Sequence, residues 1–404
     1  MVLEQVSMAE NPSDEEIRDV IDRLLLNSPL CQGLSVREKL QLQTEVFNSL
    51  RRFDVLQELV ERKDITEVMI NGPDHIFIEQ NGRLLPWDKS FASKEKLEDI
   101  VQQIVSQANR VVNEASPIVD TRLPDGSRVN VVLPPVALNG PIVTIRKFPE
   151  KVFEMEDLLR LGSITPQAAS FLEKLVRARM NIFISGGTGS GKTTFLNVLS
   201  NYIPSDERII TIEDSAELQI TKIPNLVKLE TRNANVEGKN AITIRDLIKS
   251  ALRMRPDRIV VGEVRDAAAI DMLTALNTGH DGSLSTGHAN SPEDMLSRLE
   301  TLVLMGMDIP LLAVRRQIAS AIEIIVHLGR LRDKSRRVLQ IVEVLDLQKE
   351  KIVTRPLYEF VEEGEAEDGT VIGRLQATGY PLQQTEKLLR AGISLEGLES
   401  GSEL

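Results

Sequence analysis

Gly186-Gly187-Thr188-Gly189-Ser190-Gly191-Lys192-Thr193 follows the apolar run Asn181-Ile182-Phe183-Ile184 and leads into Thr194-Phe195-Leu196-Asn197-Val198-Leu199. The first flank reads as a buried strand and the second as the start of a helix. A glycine-rich turn between them presents backbone N–H groups to phosphates, because side chains there would hold the backbone away from an anion. Lys192 then reaches the β- and γ-phosphates, and the Thr193 hydroxyl takes a place on Mg²⁺. The spacing predicts a nucleotide cradle over 186–194, from Gly186 to Thr194.

Around this loop the chain has 404 residues, enough for two or three domains. Hydrophobic residues make up 42% and charged ones 27%, as in ordinary globular proteins. No apolar run approaches the length of a membrane span, and residues 1–32 lack the basic start and apolar middle of a signal peptide. One cysteine, Cys31, excludes an internal disulfide and fits a reducing compartment. A net charge of −12 argues against an extended nucleic-acid surface, and 3% aromatic residues leave little material for base stacking.

Along the chain, the first dozen residues are polar and expected to be disordered, and 14–26 and 35–61 carry helical periodicity. From Ile65 the period shortens to that of strands at 66–70 and 76–78, separated by the turn signal Asn71-Gly72-Pro73-Asp74. A helix over 93–109 and short strands near 128–133 and 142–146 complete an α+β domain. Beyond it, apolar strands at 208–213, 258–263 and 282–286 alternate with helices, one of them capped by Thr243 with Ile244, Leu247, Ile248, Ala251 and Leu252 on one face. That alternation implies an α/β domain with a mainly parallel sheet and helices on both faces. Residues 291–321 read as helical, 324–328 and 338–347 as strands, and 362–369 as an acidic linker before a small helical cap. The expected domains are 1–60, a helical appendage; 61–149, α+β; 150–360, the phosphate-loop domain; and 361–404, linker and tail.

Hydrolysis needs a carboxylate to orient water and an acidic group to hold Mg²⁺. Thr211-Ile212-Glu213-Asp214 and Ile259-Val260-Val261-Gly262-Glu263 both deliver acids at the C-terminal ends of apolar strands, the edge where ligands sit in open α/β sheets. Spacing does not say which of Glu213 and Glu263 activates water. His280 and His288 bracket a short strand, which suits equally a pair bordering the γ-phosphate and ordinary structural residues, whereas His75 and His327 read as structural residues. Neither histidine spacing nor neighbouring cysteines match a zinc site.

These four motifs, in this order, resemble the hexameric secretion-superfamily ATPases of type II secretion, type IV secretion and Tad/Flp-type pilus assembly, most of all the Tad-pilus motor branch called CpaF. They are the phosphate loop, an Asp box at 211–218, a Walker B at 258–263 with Gly262 where aspartate is common, and a His box at 278–291. The resemblance covers about residues 60 to 360. It implies a RecA-like ATPase domain closed over by a PAS-like N-terminal domain, with ATP and Mg²⁺ as cofactors. It further implies Thr193 and Glu263 at Mg²⁺, Glu213 polarising water, His280 and His288 sensing the γ-phosphate, and Arg128 and Arg146, ahead of Arg122, neutralising phosphate charge. A hexamer on the cytoplasmic face of the inner membrane, bound to a platform protein and not to nucleic acid, follows from the same likeness. The competing readings are a RecA-like nucleic-acid motor, suggested by the basic run 330–337, and a non-hydrolysing nucleotide-gated scaffold.

Overall fold

The computed structural model describes residues 12–395 apart from 81, 149–151 and 235–238. The polar start, the expected domain edge at Pro149 and the end of the tail lie outside the described residues. The chain divides into two compact units, Met1–Lys151 and Val152–Leu404.

The first unit begins with helices Asp14–Asn27 and Val36–Arg51. In each, a serine side chain accepts from the N–H three residues on and a glutamate returns to the serine N–H, Ser13 with Glu16 and Ser35 with Glu38. Ile17, Ile21 and Phe47 form a small apolar core between them. The run 35–61 is two helices rather than one. Asp54, at φ 53, breaks it, and the following helix Val55–Glu61 sends Leu56 and Leu59 into the core of the adjoining sheet.

That sheet is antiparallel and comprises β1 (Ile65–Asn71), β2 (Ile76–Gln80), β3 (Arg83–Pro86), β4 (Ile118–Arg122), β5 (Arg128–Val132) and β6 (Ile142–Arg146), in the order β3-β2-β1-β6-β5-β4. Helix Lys94–Gln107 shares its core through Leu97, Ile100, Val101, Ile104 and Val105, a spacing that makes one continuous apolar stripe. Each such side chain contributes about 2 kcal/mol on leaving water. An antiparallel sheet backed by a helix is the α+β arrangement the period change predicts.

The second unit carries β7 (Ile182–Gly186), β8 (Ile209–Glu213), β9 (Leu226–Glu230), β10 (Arg258–Val261), β11 (Leu284–His288), β12 (Ile324–Arg330), β13 (Arg336–Gln348), β14 (Lys351–Glu365) and β15 (Val371–Ala377). Their order is β15-β14-β13-β12-β7-β11-β10-β8-β9. From β12 to β9 every pairing is parallel, and β12 to β15 form an antiparallel meander. β7, β8 and β10 are buried along their whole length because apolar layers cover both faces of the sheet. The sheet is therefore mixed, its parallel part matching the alternation of strands and helices. β9 has no counterpart in the sequence reading: it lies at the sheet edge with Lys228 and Glu230 interrupting its apolar residues.

The acidic stretch 362–369 is no linker. β14 runs through Glu365 and turns back into β15, and Arg332 pairs with Glu362 and Glu365 while Arg374 pairs with Glu363. Composition suggested solvation because the basic partners of these acids come from the β12–β13 turn and from β15. The tail then packs on the same unit. Leu375, Leu382 and Leu388 are buried in its core, and Lys387 bridges Glu323 and Asp281, while Leu389 stays exposed.

Candidate functional site

The cradle forms where β7 ends. Gly186 stands so close to its neighbours that an added Cβ would lie 2.4 Å from the Leu328 carbonyl oxygen and 2.6 Å from Ser190 Oγ. Gly191, at φ +95, caps helix Lys192–Ser200 in the left-handed region and offers no side chain to the first N–H groups, which suits an external anion. Gly187, Thr188 and Gly189 are exposed along the turn, Ser190 is buried with no partner for its hydroxyl, and Thr193 and Thr194 are half-buried in the first helical turn. Arg336 Nε donates to the Gly189 carbonyl at 3.0 Å. Beside the loop, Phe153, Leu158, Ser190, Thr194, Phe195 and Arg336 line a cavity of about 240 Å³.

A chain of polar contacts runs from Lys192 across the sheet edge. Its Nζ donates to the carbonyls of Gly186 at 3.1 Å and Gly187 at 2.8 Å, and lies 3.2 Å from His288 Nδ1. An ammonium can only donate, so Nδ1 is the acceptor and the imidazole hydrogen sits on Nε2. His288 Nε2 lies 2.9 Å from Glu263 Oε1, and Glu263 Oε2 accepts from Arg265 Nη2 at 2.7 Å. Burial pushes the His288 pKa down against the opposing pull of Glu263, which keeps the ring neutral in this arrangement. Burial also lowers the Lys192 pKa, with Glu263 acting the other way.

Glu213 is held differently. Oε1 accepts from the N–H groups of Glu217 at 2.9 Å and Leu218 at 3.0 Å, whereas Oε2 is buried without a partner. Burial pushes its pKa up to about 7 in spite of the two N–H donors. The residue also explains Gly262: a Cβ there would stand 2.9 Å from Glu213 Cγ. Glycine in the Walker B position makes room for the glutamate of the neighbouring strand, β10 being paired with β8 through Val261 and Ile212.

The two histidines of the His box are not brought together. β11 pairs in parallel with β7, placing His288 opposite Gly186 at the cradle, but Leu284 opposite Ile182 at the far end of the strand. His280 precedes Leu284, with its Nδ1 3.2 Å from the Ala275 carbonyl oxygen. Eight residues that span a strand separate its ends instead of closing on one point. In the first unit, register sets Arg122 opposite Arg128 and Arg128 opposite Arg146, so the three arginines form one row across β4, β5 and β6.

Three side chains beside the loop were not legible as site residues: Ser185, Arg336 and His327, whose Nδ1 is 2.8 Å from Ser185 Oγ. The only signal for His327 is a lone polar residue inside the apolar strand Ile324-Ile325-Val326-His327-Leu328.

A phosphate loop at the C-terminal edge of a parallel sheet, with acids delivered by the neighbouring strands, defines a nucleotide-hydrolysing P-loop protein. Residues 50–374 match the model of the Type II/IV secretion system protein family, and the chain belongs to that family of secretion-system ATPases. It is 38% identical over 306 residues to a putative conjugal transfer protein of Mycobacterium tuberculosis, covering 74% of this chain and 85% of that one. The "Probable conjugal transfer protein TrbB" of Sinorhizobium fredii is 34% identical, over 72% of this chain and 86% of its own length. The type IV secretion protein VirB11 of Brucella suis is 32% identical, over 67% and 83%. In fold the chain is similar to the ATPase DotB of Legionella pneumophila, at a TM-score of 0.51 and 22% identity over 76% of this chain and 82% of DotB. The pilus retraction motor PilT with bound ADP gives 0.51 and 18% identity over 86% and 90%. Among the described residues no helix is long and apolar enough to cross a membrane.

Proposed function

We propose that this ATPase is the motor of a Tad/Flp-type pilus or a related type II/IV secretion assembly, working as a cytoplasmic ring, a hexamer, against an inner-membrane platform protein. The observation that carries the catalytic part is the continuous contact from Lys192 through His288 to Glu263 at the end of β7. The loop N–H groups and Lys192 hold the phosphates of ATP, and His288, touching both Lys192 and Glu263, responds to a γ-phosphate that competes for the lysine. Glu213 is the base for the attacking water, since a carboxylate with a pKa near neutrality both takes and releases a proton at working pH.

The oxygen donors fit Mg²⁺, a hard cation: the Thr193 hydroxyl in the first helical turn and the Glu263 carboxylate at the β10 edge. When bound, Mg²⁺ neutralises charge on the phosphates. Arg128 and Arg146 are assigned to neutralising phosphate charge. No role is assigned to His280, which stands at the other end of β11.

The nucleic-acid reading loses support from the basic run 330–337. Arg332 pairs with Glu362 and Glu365, Arg336 donates to Gly189, and Arg337 donates to the Gly162 carbonyl. The test of the motor reading is a gene deletion scored for surface pili and secretion, complemented with wild type or Lys192→Ala. Restoration by the lysine variant, or DNA-stimulated hydrolysis without any pilus or secretion defect, would overturn it.

A further inference from the structure

His327 lies in β12 at 5% exposure, in register with Ser185 on β7 and bonded to it through Nδ1. Burial lowers the pKa of the ring, and the Asn290 backbone, in the turn that follows β11, pulls the other way.

The two neighbours matter by position. Ser185 immediately precedes Gly186, whose carbonyl takes the Lys192 ammonium, and Asn290 comes two residues after His288. The Gly186 carbonyl also accepts from Ala289 N–H at 3.4 Å, so the loop and the turn are already in contact beside the ring. We propose that His327 is a positioning residue for ATP hydrolysis: it fixes the start of the phosphate loop through Ser185, keeping Lys192, His288 and Glu263 in one chain. The inference rests on the role given to His288 above. A buried ring bonded to Ser185 is a rigid spacer, whereas an apolar residue of similar size leaves the Ser185 hydroxyl without this partner.

Steady-state ATPase kinetics of the full chain test this, with thermal unfolding as a check on folding. His327→Phe should lower kcat by about tenfold, with KM for ATP changed by less than about twofold, a loss of alignment and not of binding. His327→Asn can present its amide oxygen or nitrogen near the original Nδ1 and bond the Ser185 hydroxyl, so it should recover part of the loss. The double variant His327→Phe, His288→Ala should be no slower than His288→Ala alone, because the first residue acts through the second. Full kcat in His327→Phe beside an impaired His288→Ala, or losses that multiply, overturns the positioning role and leaves the site reading intact. Wild-type kcat in His288→Ala removes the site reading and this inference with it. If the Phe variant does not fold, Ser185→Ala decides: a fall in kcat at constant KM supports the role, and an undiminished kcat overturns it.

Discussion

Replacing Glu213 with glutamine should separate what this residue costs the fold from what it gives the reaction. Its pKa rises from an ordinary 4.5 to about 7, first because burial penalises the charge and only partly offset by the Glu217 and Leu218 N–H groups. A folded pKa above the unfolded one means the native state holds the proton more tightly. The penalty is therefore absent below pH 4.5, grows between 4.5 and 7, and is complete above 7. At 1.36 kcal/mol for each pH step, the full cost is about 3 kcal/mol. Glutamine carries no charge and keeps an oxygen for the two N–H donors. Glu213→Gln should therefore gain up to about 3 kcal/mol over wild type at pH 8 relative to its difference at pH 5. Urea unfolding at the two pH values measures this, alongside an ATPase assay and a nucleotide-binding titration. The variant should bind nucleotide without turning it over, and wild-type kcat should climb through about pH 7 as the base ionises. Equal stability differences at pH 5 and pH 8 would refute the electrostatic argument, and retained hydrolysis would refute the catalytic one.

Lys192→Ala should abolish turnover, and full phosphate release from the purified variant would sink the cradle assignment. Gly262→Ala places a methyl against Glu213 Cγ, so it should cost about 1–3 kcal/mol and reduce kcat; denaturant unfolding and activity within error of wild type would show that the glycine is not spacing the two strands. Leu388→Ala should destabilise the second unit by about 2–5 kcal/mol, and Leu389→Ala by less than about 0.5 kcal/mol; similar melting points would contradict the packing of the tail. Arg128→Gln and Arg146→Gln should each lower kcat while the loop still binds nucleotide, and wild-type rates in the double variant would remove the arginine row from the reaction.

Local chemistry was legible wherever neighbours in sequence are also neighbours in space. The loop 186–194 reads as a phosphate cradle because its glycines, lysine and threonine lie within one turn. Alternating apolar runs and capped helices likewise determined two sheets of different type, and four short motifs determined the family. Which distant residues meet was decided only by strand register. The sheet turned His280 away from the loop and His288 toward it, aligned Arg122, Arg128 and Arg146 in one row, and set His327 beneath Ser185. It also converted an acidic stretch into a paired strand and gave Gly262 its reason in Glu213. The physical cause is the same in each case: propensity, capping and loop chemistry are set by residues a few positions apart, whereas burial, pKa and hydrogen-bond partners depend on what the tertiary fold places across a strand.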